Sequence, residues 1–167
     1  MDFVTSELAG NIFYGDIFRI NGLGCLVFGS GKSTALKHIE STEMIGLDFA
    51  CLTRIENTLY GHFDMGVRSS RMDDPIEKRI KIDCMINCLF EHQMGDFFSD
   101  GKFAVTEIDY IRFLEISGHN IQFNGNTYDN FISLTKGCEI SKFLVMPWMA
   151  EFQDKIRLYK EYFNLKL

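Results

Sequence analysis

A string of seven residues near the beginning of the chain, Phe28-Gly29-Ser30-Gly31-Lys32-Ser33-Thr34, has the composition of a loop that binds an anion. Glycines let the backbone turn sharply, and the lysine supplies positive charge. The apolar run from Leu23 to Phe28 is predicted to be a strand. The string therefore predicts a turn, at the end of a strand, that can attract an anion.

This string resembles the second half of the phosphate-binding loop of P-loop nucleotide hydrolases and kinases. The resemblance implies a nucleotide-binding site in which Gly31 shapes the loop, Lys32 binds phosphate and Ser33 binds Mg²⁺. That family's loop also has a glycine five positions before its Gly-Lys pair, whereas this chain has Leu26 there. The resemblance covers seven of 167 residues and makes a nucleotide-binding protein or kinase one alternative for the function.

A nucleotide site would also need an acid at a strand end to hold Mg²⁺ through water, and Asp48 and Asp83 are the candidates. The other interpretation is a turn followed by a short helix that begins at Ser30 or Ser33 and ends at about Ser41. On this second interpretation, which we prefer, Lys32 binds no phosphate and the chain uses no cofactor.

Negative charge is concentrated between residues 91 and 109, where five acidic residues accompany a single lysine. Two adjacent phenylalanines lie inside this acidic run. Aromatic anchors surrounded by carboxylates suit a surface that binds a basic partner. The alternative is that the phenylalanines belong to the core and the acids are solvated. The residues predicted to contact the partner are Asp96, Phe97, Phe98, Asp100, Glu107 and Asp109.

The same segment offers a degenerate calcium site. Residues 96–107 place acids at positions 1, 5 and 12 and a glycine at position 6, as in an EF-hand loop. The ligands would be Asp96, Asp100 and Glu107, whereas Phe98 occupies position 3, where an oxygen ligand is expected. A metal-free turn at Asp100-Gly101 is the preferred interpretation.

Composition excludes several classes of protein. The net charge of −6 and a pI near 5.2 argue against nucleic-acid binding, which requires clustered basic residues. Five cysteines, an odd number lying mostly in apolar patterns, indicate free thiols in a reducing compartment. The sequence contains neither an export signal nor an apolar run long enough for a membrane span. These features predict a cytoplasmic protein.

Alternating patterns predict most of the strands. Residues 16–20 and 23–28 flank Asn21-Gly22, which predicts a β-hairpin with a type I′ turn. Strands are also predicted at 47–51, 59–67 and 80–90, so that residues 46–90 form an antiparallel meander. A helix over 75–93 is the alternative, because Asp74, Pro75 and Glu77 form a helix-start signature.

Helices are predicted in the second half of the chain. One is expected from Thr106, as N-cap, to Ser117, followed by a tight hairpin at 123–126. An apolar stripe with helical spacing, Trp148, Phe152, Ile156, Tyr159 and Phe163, predicts an amphipathic C-terminal helix. Pairs of charges four residues apart, Glu151 with Lys155 and Arg157 with Glu161, are expected on its solvated side.

These elements predict one α+β domain spanning residues 1–167. Its antiparallel sheet, a hairpin plus a three-stranded meander, packs against helices. Because no complete catalytic signature is present, we expect a non-enzymatic module that inhibits or sequesters a basic protein. In profile the chain resembles bacterial immunity proteins, which neutralise nuclease-type toxins, because it is compact, acidic, rich in aromatic residues and without a catalytic set. An acidic surface that bears aromatic residues suits a cationic toxin site.

Overall fold

The computed structural model describes residues 12–62, 79–121 and 127–166. Its strands are β1 (Ile12–Tyr14), β2 (Asp16–Ile20), β3 (Leu23–Gly29), β4 (Thr42–Gly46), β5 (Phe49–Ile55), β6 (Thr58–His62), β7 (Arg79–Lys81), β8 (Cys84–Cys88), β9 (Thr106–Ile108) and β10 (Lys142–Met146). Its α-helices are α1 (Met94–Phe97), α2 (Tyr110–Ile121), α3 (Thr127–Thr135) and α4 (Phe152–Phe163), with short 3-10 helices at Leu36–His38 and Glu91–Gln93.

The strands form two sheets. The smaller has the order β1-β5-β6-β7 and is antiparallel throughout. The larger has the order β4-β2-β3-β8-β10-β9, and its three central strands β3, β8 and β10 are parallel. The predicted α+β class, with a C-terminal helix packed on a sheet, is confirmed. The parallel centre of the larger sheet was not predicted.

The larger sheet is covered on both faces, which is the usual setting of parallel strands. Cys25 and Val27 of β3 pack with residues of α4 in one core cluster, whereas Leu26 and Phe28 pack with the smaller sheet and with α2 and α3 in another. All five residues of β8 are buried. This explains why the residues around β8 lack a clean polar face in the sequence.

The predicted hairpin and meander are confirmed. Asn21 and Gly22 both have positive φ, 52° and 82°, as a type I′ turn requires. Strands β5, β6 and β7 form the antiparallel meander. The pattern over 80–90 comprises two strands in different sheets, so the helix alternative is wrong for residues 79–88. The helix-start signature at 74–77 and the part of the 59–67 strand beyond His62 lie outside the described residues.

Two predicted helices begin or end elsewhere. The helix expected to end near Ser41 is only the 3-10 turn Leu36–His38, because Ile39 is extended and the Thr42 hydroxyl donates hydrogen bonds to the carbonyls of Leu36 and Ile39. Thr106 lies in strand β9, and the helix begins after Asp109, whose Oδ1 accepts a hydrogen bond from the Arg112 amide.

The connection predicted as a hairpin at 123–126 lies outside the described residues, and the elements that flank it are helices α2 and α3. The C-terminal helix is confirmed from Phe152 onward, while Trp148 precedes it. All five cysteines are free, and four are buried. Among the described residues, no helix has both the length and the apolar character needed to span a membrane.

Candidate functional site

The three parallel strands of the larger sheet end at one edge. They are in register there, with Gly29 opposite Cys88 and Cys88 opposite Met146. Ligands of sheets with parallel strands bind outside the carboxyl ends of those strands, where the following loops converge. The segments at this edge are 30–35 after β3 and those that leave β8 and β10.

The loop after β3 depends on Gly29. This glycine has a φ of +102°, and a Cβ added to it would lie 1.9 Å from the carbonyl oxygen of Cys88. The amide of Ser30 donates a hydrogen bond to the same oxygen at 3.0 Å. Gly31 also has a positive φ, +60°. The chain therefore leaves the sheet in close contact with β8 and then turns sharply.

Four successive amide groups in this loop, those of residues 31–34, donate no hydrogen bond to another residue that the structure describes. Amide groups without an internal acceptor bind water or a ligand. Successive amides next to a residue with left-handed backbone conformation form a concave, positively polarised group that attracts anions. The loop therefore offers hydrogen-bond donors to an anion.

The side chain of Lys32 extends from this loop into a site that is nearly closed to solvent. Its side chain is 8% exposed, and its Nζ lies 3.6 Å from Oδ1 of Asp48. The same Nζ lies 4.0 Å from the centroid of the Tyr14 ring. Tyr14 ends β1, whereas Asp48 lies two residues beyond the end of β4. An ion pair and a cation–π contact thus hold the ammonium group.

Asp16, the first residue of β2, adds a buried carboxylate to this cluster. One of its oxygens, Oδ1, accepts a hydrogen bond of 2.7 Å from the Asp48 amide, while Oδ2 has no partner among the described residues. Burial raises the pKa of this carboxyl above its ordinary value of 3.8, and the Asp48 amide and the Lys32 charge counteract that rise. A lysine, a buried acid and a half-exposed acid therefore meet at the sheet edge.

Ser33 and Asp83, the other two residues predicted for a nucleotide site, lie at opposite edges of the sheet. Ser33 lies in the same loop, and its carbonyl accepts a hydrogen bond of 3.1 Å from the Lys37 amide. Asp83 precedes β8, at the opposite edge of the sheet, where Lys81 Nζ lies 3.6 Å from its carboxylate. Of the two candidate acids, the fold therefore brings only Asp48 to the loop.

Another lysine contacts the loop. Lys155 of α4 is 6% exposed, and its Nζ donates hydrogen bonds to the carbonyls of Ser30 at 2.9 Å and Gly31 at 3.3 Å. The prediction that Lys155 pairs with Glu151 on the solvated side of the helix is wrong, because the stem of Lys155 is buried and its ammonium reaches the loop. The predicted pair of Arg157 and Glu161 is present at 3.4 Å.

A groove runs beside the loop. A cavity of about 140 Å³ is lined by Ser30, Thr34 and Lys155 and shares Trp148, Met149 and Ala150 with a neighbouring cavity of about 410 Å³. The larger cavity is otherwise lined by Glu91, Met94, Phe103 and Asp154. The groove therefore combines an apolar floor with two carboxylates and lies at the ends of β3, β8 and β10.

The residues predicted as a partner surface are divided between core and surface. Asp96 and Phe97 lie in α1, and the Phe97 ring is covered by the Arg112 guanidinium at 4.6 Å. Phe98 is buried and packs with Leu89 and Val145. Phe98 is therefore part of the core, which was the alternative interpretation.

The three other acids of that prediction already have local partners. Asp100 Oδ1 accepts a hydrogen bond from the Lys102 amide at 3.0 Å, and Asp109 caps α2. Glu107 accepts a hydrogen bond from the Tyr162 hydroxyl and lies 3.8 Å from Lys142 Nζ. In the alternative calcium loop Glu107 would lead into a helix, whereas here it belongs to a strand. The described residues contain no group of three or more His, Cys, Asp or Glu that could hold a metal ion.

Sequence reasoning missed Tyr14, Asp16 and Lys155 as neighbours of the loop. Asp16 had a detectable signal, because it begins a strand that is otherwise apolar and is paired with β3 by a predictable hairpin. Lys155 had none, since its spacing places it on the edge of the helix stripe, where a lysine is ordinarily solvated. Tyr14 also had no signal, because its contact with Lys32 depends on the pairing of β1 with β5 in the smaller sheet.

No family model matches the chain, and no curated protein matches it. Nineteen chains of solved structures match it. One of them is the structure of the HPr(Ser) kinase/phosphatase from Coxiella burnetii, with a TM-score of 0.53 and 12% sequence identity. The match covers 92% of this chain and 88% of that chain. At this identity the comparison establishes similarity of fold alone.

Proposed function

We propose that this protein binds the phosphate chain of a nucleoside triphosphate at residues 29–34 and acts as a nucleotide-binding protein of the kinase type. The observation that carries the proposal is the arrangement at the end of β3. Four amide groups without acceptors in the described chain lie there, beside a lysine whose ammonium is 3.6 Å from Asp48. The fold similarity to a protein described as a kinase/phosphatase supports the same proposal.

The chemistry follows from these groups. Backbone amides of the loop donate hydrogen bonds to phosphate oxygens, and the Lys32 ammonium leaves Asp48 to bind the same phosphate chain. Charge-assisted hydrogen bonds of this kind neutralise the negative charge that develops during phosphoryl transfer. Tyr14 restricts water around the ammonium, which strengthens its electrostatic interactions.

Mg²⁺ fits the oxygen-bearing residues at this edge. Proteins bind this ion through one or two carboxylates together with substrate phosphates and water. Asp48 supplies a half-exposed carboxylate, and Ser33 supplies a hydroxyl in the same loop. These two residues would hold the ion, which would supply charge neutralisation at the phosphate oxygens. The buried Asp16 fixes the amide of Asp48 and hence the position of the acid.

The loop is shorter than that of the P-loop family. Leu26 occupies the position of the family's first glycine and is buried in the middle of β3, and the Ser30 amide is already bonded to Cys88. Fewer amides therefore remain for the phosphates, since only those from Gly31 onward are available. We expect weaker nucleotide binding than a complete loop would give.

The proposal is tested by thermal unfolding and calorimetric titration with Mg²⁺-ATP and Mg²⁺-GTP. Ligand at 100 times its dissociation constant adds about 2.7 kcal/mol to the free energy of unfolding. At the same ligand concentration Lys32→Met should reduce that gain to about 0.4–1.4 kcal/mol, whereas Lys166→Met, which removes the same charge from an exposed position, should retain it. Failure of the wild-type chain to bind either nucleotide would contradict the proposal.

We also propose, as a second candidate, that the protein binds a basic protein partner, such as a nuclease-type toxin that it would neutralise. The observation that favours this function is the groove beside the loop. Its described lining includes Trp148, Phe103 and two methionines together with Glu91 and Asp154, but no lysine or arginine on the larger cavity. Apolar anchors with carboxylates at the rim suit a positively charged segment.

Trp148 reports on this second candidate directly, because it is the only tryptophan of the chain. Its fluorescence should change on titration with a synthetic peptide of alternating arginine and leucine but not with one of alternating glutamate and leucine. The change should weaken at high salt and in the double variant Glu91→Gln with Asp154→Asn. Equal responses to the two peptides would exclude a charge-selective groove.

A further inference from the structure

Lys155 is a buried cation that has no carboxylate partner within the described part of the chain. Its ammonium lies inside the protein, and within the described part of the chain no carboxylate oxygen is within 4.0 Å of Nζ. Its two acceptors are the carbonyls of Ser30 and Gly31. Burial of a charged group is costly unless hydrogen bonds compensate it. The hydrogen bonds that compensate the buried charge of this lysine therefore come from two consecutive peptide groups of the loop.

The two peptide groups held by Lys155 determine where the loop's donors face. The described chain contains no cis peptide bond, and in a trans peptide the N–H points opposite to the C=O. Since the carbonyls of Ser30 and Gly31 point toward Lys155, the N–H groups of Gly31 and Lys32 point away from it. These two N–H groups are among the four that have no acceptor in the described chain.

The contact with Lys155 also makes the N–H groups of Gly31 and Lys32 stronger hydrogen-bond donors. A cation on a carbonyl oxygen polarises the peptide group and makes its N–H a better hydrogen-bond donor. The positive φ of Gly31 permits two successive carbonyls to face one ammonium. A Cβ on Gly31 would lie 3.2 Å from Lys155 Nζ, so the glycine also provides the space for the contact.

We infer that Lys155 is a positioning residue of the phosphate site: from the C-terminal helix it fixes and polarises the peptide groups of the loop, so that the amides of Gly31 and Lys32 face the anion. The inference rests on the proposed function for the identity of the ligand. In a longer loop, additional glycines orient the amides toward the anion. Here a residue distant in sequence, Lys155, provides part of that orientation. Lys155 does not itself contact the phosphate.

The test compares Lys155→Met with Lys155→Arg, which keeps a cation able to bond both carbonyls, and with Lys166→Met as the exposed control. In the ligand-free protein, the ¹⁵N–¹H resonances of Gly31 and Lys32 should shift in Lys155→Met and stay near their wild-type positions in Lys166→Met. Affinity for Mg²⁺-ATP should fall about tenfold in Lys155→Met, a loss of about 1.4 kcal/mol, because the hydrogen bonds of both amides to the phosphate are misdirected. Lys155→Arg should recover most of the affinity.

The outcomes separate the inference from the proposed function. If wild-type protein binds Mg²⁺-ATP but Lys155→Met changes neither the two resonances nor the affinity, the inference is overturned while the proposed function stands. If the wild type does not bind, the proposed function fails, and a shift of the two resonances in Lys155→Met then shows only that Lys155 orients the loop. Should Lys155→Met not fold, Lys155→Gln, which keeps an N–H donor without the charge, is expected to give an intermediate loss of affinity.

Discussion

The ammonium of Lys32 lies 3.6 Å from the carboxylate of Asp48, although the two residues belong to loops that follow different strands. The pairing of β2 with both β3 and β4 brings these loops to one edge of the sheet. In the absence of a ligand the two charges neutralise one another. A phosphate must therefore compete with Asp48 for Lys32, while Mg²⁺ must compete with Lys32 for Asp48.

This competition predicts different effects for the two partners. Lys32→Met should weaken binding of ATP roughly 10- to 100-fold with or without Mg²⁺, because a hydrogen bond to a charged group contributes about 1.5–3 kcal/mol. Asp48→Asn should remove the dependence on Mg²⁺ and leave metal-free binding unchanged or tighter. Calorimetric titrations with and without the metal measure both effects. Equal losses in the two variants, with the metal dependence retained in Asp48→Asn, would contradict these roles.

The close contact of Gly29 with β8 predicts a large loss of stability in Gly29→Ala. The new methyl group would lie 1.9 Å from the Cys88 carbonyl oxygen on a backbone of positive φ. We expect a cost of about 2–4 kcal/mol, measured by urea denaturation. Gly101→Ala is the matched control, because its φ is +80° but nothing lies within 4 Å of the added atom. Similar losses in the two variants would show that backbone strain alone accounts for the effect.

The buried carboxyl of Asp16 predicts a particular pH dependence of stability. Because burial raises its pKa in the folded state, the folded protein binds this proton more tightly than the unfolded chain does. The contribution of Asp16 to stability should therefore fall as the pH rises from about 3.8 through the raised folded pKa. In Asp16→Asn this decline should disappear, as measured by urea denaturation across that range. A wild-type stability that rises relative to Asp16→Asn over this interval would contradict the prediction.

Substitutions of Asp109 distinguish a structural role of this residue from a role in partner binding. Its carboxylate accepts the Arg112 amide at the beginning of α2, so Asp109→Ala should cost about 1 kcal/mol of stability. Asp109→Asn keeps the oxygen acceptor but removes the charge, and should unfold at nearly the wild-type urea concentration. If Asp109 also attracts a basic partner, Asp109→Asn should weaken the response of Trp148 to the arginine-leucine peptide. An unchanged response would restrict Asp109 to capping.

Local patterns in the sequence predicted those elements that depend on local physics. Asn21-Gly22 fixes a hairpin because both residues accept positive φ, and the stripe from Phe152 to Phe163 fixes a helix because its apolar face must be covered. The helix predicted to begin at Ser30 or Ser33 does not extend to Ser41, and the reason is similarly local. The Thr42 hydroxyl competes for the last carbonyls of that turn, and single-residue propensities do not include this competition.

The site itself was only partly predictable. The string around Lys32 and the acid Asp48 could be found by composition, but their proximity depends on strand order in a six-stranded sheet. The parallel pairing of β3 with β8 joins segments more than fifty residues apart, and alternation of apolar residues does not reveal it. Lys155 shows the same limitation, since its contact with Ser30 arises from the packing of α4 against the loop.

In the proposed site, the amides of residues 31–34 donate hydrogen bonds to a phosphate group. The ¹⁵N–¹H resonances of the wild-type protein, followed during titration with Mg²⁺-ATP, report on each of these amides. We predict that the resonances of Gly31, Lys32, Ser33 and Thr34 shift most and reach saturation, and that Lys32→Met reduces these shifts. Saturable binding whose largest shifts fall on Trp148 and Glu91, with residues 31–34 unmoved, would contradict it, as would the absence of any shift.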